Sequence, residues 1–435
     1  MADASPHLQE LRLTRFKSLR DASLPLRDLT LVIGRNGSGK SNVLDGLHVL
    51  ARLAEGEDVR EAIDGNRREG VGVRGGVLGC APYGESTFAL GCTIVDGDRR
   101  LLLDVEVRVE PDVQIVREEL RRRDADGVET TLLVADDPQP GLVDITGRHH
   151  DGAPTPTATA SFRSDRLLTA QVPVRVPATT PAAQEVHAAA LTVIDVLRAV
   201  FVLDPVPALM RQYVPRRDVN LRRQADNISA VIGGLQDDEA RWARLRELVR
   251  ALPEQNVVGI DVEASALDDV MLAIRERFGD RDVPFPARVM SDGMLRFLAF
   301  AAALLEAPAL DEDVDGPSTQ LVIEEIENGL HPSQAARVVE LIREESARRR
   351  IRTLATTHSP AMLTALRSDD HEGVIVCRRD PVTATTELVR LVDLPRYPDA
   401  LAAGALGEAV TERRLDGDVD DDRRLRAIDD LLGRL

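Results

Sequence analysis

The feature that most constrains the fold is a glycine-rich segment between two regular elements. Residues 34–41 read GRNGSGKS and fit the pattern G-x-x-x-x-G-K-S. The apolar run LTLVI before them predicts a strand, and helical spacing follows from about Lys40 to Leu53. Glycines in such a loop let successive backbone N–H groups turn toward phosphate oxygens at the start of the helix. The segment therefore predicts a phosphate-binding loop.

Nine consecutive residues of this segment are predicted to contact a nucleotide. They are Gly34, Arg35, Asn36, Gly37, Ser38, Gly39, Lys40, Ser41 and Asn42. We expect Lys40 to reach the β- and γ-phosphates of ATP and the Ser41 hydroxyl to ligate Mg²⁺. Composition favours this role for Lys40, because only Lys17 and Lys40 among the 55 basic residues are lysines. A compact ammonium is therefore expected to matter at these two positions.

A second motif, LVIEEIENGLHP at residues 321–332, places two adjacent carboxylates after an apolar strand. Downstream of a phosphate-binding loop, we expect Glu324 to lie opposite Ser41 and to hold Mg²⁺, directly or through water. Glu325 is then the candidate catalytic residue that polarises or deprotonates the attacking water. Strand ends are often charged, so the two carboxylates indicate a catalytic site only because a phosphate-binding loop precedes them in the sequence.

A third motif, LATTHSP at residues 354–360, ends an apolar strand in His358. This side chain is a second catalytic candidate, because it could hydrogen-bond a γ-phosphate oxygen or the attacking water. Taken singly, a histidine at a strand end is more often a structural residue. Its position one helix after Glu325 favours the catalytic interpretation.

A fourth motif, MSDGMLRFLAF at residues 290–300, predicts a helix that begins at Ser291, Asp292 and Gly293. The serine hydroxyl and the exposed N–H groups of such a helix end can bind an anion. One chain already has a phosphate-binding helix at Lys40. We therefore expect this second helix end to contact the nucleotide of another subunit, and an ordinary N-cap is the alternative.

Composition restricts the partners and the compartment. The formal net charge of -18 disfavours a broad nucleic-acid-binding surface, although a local basic groove stays possible. The longest nearly uncharged apolar run, residues 297–310, is too short to cross a membrane. The first residues lack a signal-peptide pattern, and Cys80, Cys92 and Cys377 have no metal-like spacing. We therefore expect a cytoplasmic protein without a membrane partner.

The remaining pattern predicts an α/β fold, with helices on both faces of a mixed sheet. We expect four regions: an N-terminal lobe at 1–135, an inserted α+β region at 136–284, a C-terminal lobe at 285–395 and an acidic, helical tail at 396–435. Residues 136–182 are rich in Pro, Thr and Asp and favour surface loops. Helical spacing then runs from about Pro181 to Val202.

Together the four motifs resemble those of ABC-superfamily ATPases, most closely the SMC, RecF and overcoming-lysogenisation-defect (OLD) group. FKSLRDASLPL and LTLVIGRNGSGKSN resemble that group's first strands and Walker A motif. SDGM stands at the ABC signature, IEEIENGLHP resembles Walker B and the D-loop, and THS resembles the switch histidine. The likeness covers residues 8–50 and 285–378 well. It implies a P-loop NTPase of ABC type that binds ATP and Mg²⁺ as a head-to-tail dimer.

The chain departs from that group in several places. Glu324 stands where aspartate is usual, Ile326 replaces a proline, and no Q-loop glutamine can be placed, since Gln114 lies within an alternating strand pattern. Residues 40–290 hold no sustained heptads, so the long arms of SMC proteins are not predicted. Residues 359–435 are too few for the nuclease domain of OLD proteins. We therefore expect an ATPase that acts without an effector of its own.

Three functions stay open from the sequence. The first is a dimeric, ATP-hydrolysing switch that regulates a separate effector such as a nuclease in antiphage defence, by analogy with relatives that stand alone. The second is a DNA-repair or chromosome-handling ATPase that grips DNA. The third is a scaffold that ATP clamps with little turnover. Stimulation by DNA would distinguish the second from the first, and tight binding without turnover would select the third.

Overall fold

The computed structural model describes residues 5–65, 72–136, 144–251, 256–308, 316–330, 332–380, 382–402 and 407. The strands of this part of the chain form a 14-stranded mixed sheet and a smaller, four-stranded antiparallel sheet. Within the same ranges, no helix has both the length and the apolar character needed to cross a membrane. The acidic run predicted for the tail, residues 416–422, lies outside the described residues.

The N-terminal part of the chain supplies the phosphate-binding segment and an antiparallel run of strands. Its elements are β1 His7–Phe16, β2 Leu19–Pro25, β3 Leu29–Ile33, α1 Lys40–Ala54, α2 Val59–Asp64, β4 Thr87–Asp96, β5 Arg99–Arg108, β6 Gln114–Arg123 and β7 Glu129–Asp136. The predicted strand and helix around residues 34–41 are therefore confirmed. Gln114 begins β6, and several strands lie between β6 and β3 in the order of the large sheet.

The structure of residues 144–203 differs from two predictions. Their elements are β8 Asp144–His149, β9 Ala158–Arg163, α3 Leu168–Arg175, α4 Pro181–Arg198 and β10 Val200–Leu203. The prediction of surface loops over 136–182 is wrong for β8 and β9, which extend the large sheet beyond β7. Alternate residues of β8 are exposed, so a polar composition is compatible with a strand that has one solvated face. The helix predicted to reach Val202 ends at Arg198, because Val200–Leu203 pairs with a parallel strand.

The segment between β10 and the fourth motif forms the smaller sheet and its helices. Its elements are α5 Pro207–Met210, β11 Val214–Pro215, α6 Ile228–Gly234, α7 Glu239–Arg250, β12 Val257–Ala264, β13 Asp269–Phe278 and β14 Arg281–Pro286. β13 is central, with β12 on one side and β11 and β14 along the other. This part of the predicted insertion is α+β, as the sequence indicated.

The C-terminal part alternates helices and strands. Its elements are α8 Asp292–Glu306, β15 Thr319–Ile323, α9 Pro332–Ser346, β16 Ile351–Thr357, α10 Pro360–Thr364, β17 Val374–Arg379, β18 Thr386–Arg390 and α11 Tyr397–Ala402. In the large sheet, β10, β15, β16, β3 and β17 are neighbours in that order and run parallel. The carboxyl ends of all five strands therefore meet at one edge of the sheet, where α/β folds bind ligands.

Helices cover both faces of the parallel strands. Val32 and Val322 pack into one core with buried residues of α1 and α4. Leu31 and Leu321, one residue earlier in the same strands, pack into the other core with α8 and α9. Neighbouring residues of a strand point to opposite faces, so two helical layers account for the continuous apolar runs of β3 and β15. The predicted α/β class, a mixed sheet between helices, is confirmed.

Candidate nucleotide site

The segment after β3 forms a loop that requires glycine at two positions. A Cβ atom on Gly39 would lie 2.4 Å from Thr386 Oγ1, and the φ angle of Gly39 is 107°. A Cβ atom on Gly34 would lie 2.4 Å from the carbonyl oxygen of Cys377. β17 and β18 can therefore pack this closely against the loop only because both positions lack a side chain.

The interior of the loop presents groups that suit an anion. Lys40 is buried, and its Nζ atom donates to the carbonyl oxygens of Gly34 at 2.7 Å and of Arg35 at 3.1 Å. The buried Ser38 hydroxyl has no hydrogen-bond partner among the described residues. Burial raises the pKa of the Cys377 thiol behind the loop, so the neutral thiol donates to the Ser38 carbonyl. The ammonium and the start of α1 together fit a phosphate chain.

Glu324 follows β15 and faces the first turn of α1. The Ser41 hydroxyl donates to Glu324 Oε1, although the two residues are 283 positions apart in the sequence. Arg74 Nη2 lies 3.0 Å from Oε1 and 2.9 Å from Oε2 of the same carboxylate. These contacts arise because only β16 separates β15 from β3, and the three strands are parallel.

Glu325 turns the chain sharply at the end of β15. Its φ angle is 49°, in the left-handed region that residues other than glycine rarely adopt. Its backbone N–H donates to Thr356 Oγ1 at 2.8 Å, and Asn328 Nδ2 donates to its carboxylate at 2.7 Å. Ile326, where proline is usual in the related group, is fully buried beside the turn. Backbone strain held by such contacts concentrates at functional sites.

These residues meet in one cavity of about 560 Å³. It is lined by residues of the loop, of α1, of three strand ends and of the segment before β4: Asn36, Gly37, Gly39, Lys40, Ser41, Asn42, Arg74, Asp204, Glu324, Glu325, Asn328 and Thr356. The volume lies within the usual range of small-molecule sites. Of the nine loop residues predicted to contact nucleotide, Gly34, Arg35 and Ser38 do not line the cavity.

The sequence motifs do not predict two of the charged residues in the lining, Asp204 and Arg74. Asp204 follows β10, a strand that lies mostly within the helix predicted to reach Val202. The apolar run VFVL followed by Asp is the signal that could have identified a further strand end at this edge. Arg74 has no such signal, because it lies in a glycine-rich segment without periodicity and meets Glu324 only through the fold.

The fourth motif forms a solvent-exposed helix end. Ser291 is the N-cap of α8, and its hydroxyl accepts the N–H of the residue three positions ahead at 3.2 Å. Ser291 and Asp292 are exposed, and the Asp292 carboxylate lies 2.6 Å from Arg211. Gly293 is buried, and a Cβ atom there would lie 2.4 Å from the Gly329 carbonyl oxygen. None of the three lines the cavity that contains the chain's own phosphate-binding loop.

His358 lies at the end of β16, also outside the lining of the cavity. Its Nδ1 atom is 2.7 Å from Glu327 Oε1, and its backbone N–H donates to the same oxygen at 2.6 Å. The side chain is 49% exposed. The structure therefore brings this histidine to the turn that follows Glu325, rather than to the phosphate-binding loop.

The donor set fits Mg²⁺ that arrives with a nucleotide. Mg²⁺ prefers oxygen ligands and usually takes only one or two from the protein, with phosphate oxygens and waters completing the shell. The Ser41 hydroxyl and the Glu324 carboxylate supply two such oxygens, and the Arg74 guanidinium on Glu324 shows that this position accepts positive charge. Within the described ranges, no group of three or more His, Cys, Asp or Glu side chains could hold a metal ion.

Comparison with known proteins identifies the family. A family model described as "AAA domain, putative AbiEii toxin, Type IV TA system" matches residues 29–364. That range includes the phosphate-binding loop, both carboxylates and His358. The chain belongs to this family. Membership implies nucleotide binding on an ATPase fold of the P-loop type, and the chain's motifs resemble those of the ABC-type, SMC/RecF-like ATPases. No curated protein matches the chain.

Solved structures with a similar fold include three SMC head domains. One is an SMC head bound to the C-winged helix domain of ScpA, with 15% identity, a TM-score of 0.46, and coverage of 88% of this chain and 97% of that one. The head domain from Thermotoga maritima has 13% identity, a TM-score of 0.38, and coverage of 88% and 98%. A head with an extended coiled coil, bound to the C-terminal domain of ScpA from Pyrococcus furiosus, has 13% identity, a TM-score of 0.44, and coverage of 91% and 100%.

Proposed function

We propose that this protein is an ATP-hydrolysing switch whose nucleotide sites are completed by a second copy of the chain. The observation that carries the proposal is the cavity in which Lys40, Ser41, Glu324 and Glu325 come together. A cation, a hydroxyl and two carboxylates beside a phosphate-binding loop are the groups that can hold phosphate, metal and water for phosphoryl transfer.

Each group has one task in the proposed reaction. The loop amides and Lys40 hold the phosphates, and Ser41 with Glu324 holds Mg²⁺, which would neutralise charge on the phosphate oxygens. Glu325 lies beside them, where it can orient the attacking water and accept its proton. We assign His358 to the γ-phosphate, which it would reach after leaving its carboxylate partner.

A second copy is proposed because the signature helix end is exposed. Ser291 and Asp292 lie on the surface and outside the chain's own cavity. The first turn of α8 carries unpaired N–H groups and a partial positive charge, which stabilise a nearby anion. Head-to-tail pairing would set this helix end of one protomer against the γ-phosphate of its partner. ATP would then close the dimer, and hydrolysis would open it.

The substitution Glu325→Gln tests the proposed reaction. Glutamine keeps the shape of the side chain and can still accept the hydrogen bond from Asn328, but it cannot accept a proton. We expect ATP and Mg²⁺ binding to persist, hydrolysis to fall by a factor of about 10²–10⁴, and an ATP-bound dimer to accumulate in light scattering. Glu340→Gln, at a half-exposed position of α9 where the carboxylate pairs with Arg337, is the matched control and should leave the rate unchanged.

Three results would change the proposal. Unaltered turnover in Glu325→Gln would remove this residue from the reaction. A trapped, magnesium-competent dimer in Glu324→Gln instead would mean that the two carboxylates have the opposite roles. Tight ATP binding by the wild-type protein without measurable turnover would select the clamped scaffold.

We propose that the closed dimer regulates a separate effector, such as a nuclease, in antiphage defence. The support is the family description, which names a putative toxin of a toxin–antitoxin system, and the resemblance of the motifs to the OLD group. Phage plating on cells that co-express this protein and the product of its adjacent gene tests the idea. Protection should be lost with Glu325→Gln, and protection that survives the substitution would contradict an ATP-driven switch.

DNA handling is the second candidate, and the described surface gives it little support. An outer cavity of about 510 Å³ on the large sheet contains four arginines, Arg12, Arg100, Arg121 and Arg123. Asp104 lies 2.8 Å from Arg12 and 2.9 Å from Arg121, and Glu129 lies 2.5 Å from Arg123. Carboxylates thus offset the positive charge of three of the four arginines, and the net charge of the chain is -18. We expect duplex DNA to leave the ATPase rate unchanged, whereas clear stimulation would select DNA handling.

A further inference from the structure

Arg74 occupies one side of the proposed magnesium site. Its Nη2 atom lies 3.0 Å and 2.9 Å from the two carboxylate oxygens of Glu324, and the Ser41 hydroxyl donates to one of the same oxygens. This carboxylate is therefore engaged by a cation and a hydroxyl that belong to the chain. Mg²⁺ and the guanidinium would compete for it, because both would need the same oxygens.

Lys17 attaches the backbone of Arg74 to the turn between β1 and β2. Its Nζ atom donates to the Arg74 carbonyl oxygen at 2.8 Å and pairs with the Asp45 carboxylate of α1 at 2.6 Å. Its backbone N–H donates to the Cys80 carbonyl oxygen at 2.7 Å, so the turn contacts the segment at two points. The Lys17 side chain is only 8% exposed. A compact ammonium with three donors suits this crowded double contact better than a planar guanidinium.

The side chain of Arg74 has room to leave Glu324. It is 67% exposed, so its rotation does not disturb buried packing. Gly75 and Gly76 follow with φ angles of 89° and 58°, in the left-handed region that glycine adopts readily. The backbone is thus held by Lys17 while the guanidinium can move.

We propose that Arg74 is a cation-mimicking latch that holds Glu324 until Mg²⁺ arrives together with nucleotide. The inference rests on the proposed function, because it concerns the metal of the same site. Mg²⁺ alone would gain only Ser41 and Glu324 as ligands, and it must displace the guanidinium to do so. Mg²⁺ carried by ATP brings phosphate oxygens as further ligands, so only the loaded ion displaces Arg74. Metal binding then depends on nucleotide.

The test measures Mn²⁺ binding to nucleotide-free protein by electron paramagnetic resonance. We expect Arg74→Gln to bind Mn²⁺ about fivefold more tightly than the wild type, since loss of an exposed ion pair changes an equilibrium by up to about that factor. Arg60→Gln is the matched control, because Arg60 is 65% exposed and pairs with Asp64 on α2, and it should leave the affinity unchanged. Adding Glu324→Gln to Arg74→Gln should abolish the gain.

A second variant tests the attachment to the turn. Lys17→Met should raise Mn²⁺ affinity in the same direction as Arg74→Gln, because the segment that presents the guanidinium loses its anchor. Equal Mn²⁺ affinity in wild type, Arg74→Gln and Arg60→Gln would overturn the latch. A gain that survives Glu324→Gln would also overturn it, since the gain would then not come from that carboxylate.

ATP binding tests the proposed function separately. Fluorescently labelled ATP with Mg²⁺ should bind to the wild-type protein. If labelled ATP does not bind but Arg74→Gln still gains Mn²⁺ affinity through Glu324, the ATPase proposal fails and the competition between Arg74 and a cation is supported. If labelled ATP binds and Arg74→Gln shows no gain, the ATPase proposal is supported and the latch fails.

Discussion

The proposed sharing of each nucleotide site between two chains predicts complementation between two inactive variants. Lys40→Ala removes the ammonium that lies inside the phosphate-binding loop. Ser291→Arg places a large cation at the exposed start of α8, where the partner would approach. We expect Ser291→Arg to bind ATP as a monomer and to hydrolyse it at a negligible rate.

The substitution Ser291→Arg also removes a helix cap, and this loss of stability has to be separated from the block that the arginine places on dimerisation. The hydroxyl accepts one N–H of the first turn at 3.2 Å, and loss of such a cap costs about 1 kcal/mol. Ser291→Ala loses the same hydrogen bond without adding a cation, so it is the matched control. We expect Ser291→Ala to dimerise with ATP and Ser291→Arg to stay monomeric.

An equal mixture of the two variants should regain at most about half of the wild-type rate. Ser291→Arg does not pair with itself, so the active dimers are mixed, and one of the two sites in each mixed dimer combines the intact Lys40 of one chain with the intact Ser291 of the other. The second site carries both changes, and its arginine faces a loop that has lost its own cation. The estimate assumes that one site can hydrolyse ATP alone.

Steady-state ATP hydrolysis, measured against total protein concentration for each variant and for the mixture, provides the assay. Activity in the mixture but in neither variant alone requires a site that two chains share. The refuting result is a Ser291→Arg protein that hydrolyses ATP at the wild-type rate at every concentration. The helix end of α8 would then have no part in the reaction.

Three further predictions concern single positions. Lys40→Arg should abolish hydrolysis, because a planar fork does not fit the buried space that Nζ occupies; a normal ATPase rate would contradict this. Gly39→Ala should weaken labelled-ATP binding far more than Gly37→Ala. At Gly37 the added Cβ meets open space, and the substitution lowers stability by about 1–2 kcal/mol because the φ angle is 79°. Burial raises the pKa of Glu118 to about 7, so the folded chain holds a proton that the unfolded chain releases above about pH 4.5. Stability should therefore fall as pH rises toward 7, and Glu118→Gln should remove that fall in melting temperature.

The sequence was most informative where one short segment determines both structure and chemistry. The loop at residues 34–41 needs glycines for its backbone and has a strand before it and a helix after it, so local signals agree. The carboxylates after β15 and the cap of α8 were predictable for the same reason. Whether their side chains perform the proposed reaction is what the substitutions above test.

The wrong predictions concern segments whose secondary structure depends on pairing with strands that are distant in the sequence. Val200–Leu203 follows a long helix after a single residue, and a four-residue apolar run is a strand only because β15 lies beside it. β8 and β9 are rich in polar residues, and their pairing at the edge of the large sheet leaves one face exposed. Composition predicted loops there because it cannot distinguish a solvated strand face from a turn.

The contact between Arg74 and Glu324 shows the same limit at the site itself, because 250 positions separate the two residues. The order of the parallel strands explains how such distant segments meet. β3 and β15 carry the phosphate-binding loop and the two carboxylates, and β16 between them supplies Thr356, which accepts the backbone hydrogen bond of Glu325. A change in β16 should therefore disturb the carboxylate turn without touching the loop. Thr356→Val removes that acceptor with little change in volume, so we expect hydrolysis to fall while labelled-ATP affinity stays near the wild-type value. Equal loss of both would mean that the strand supports the whole site rather than the turn.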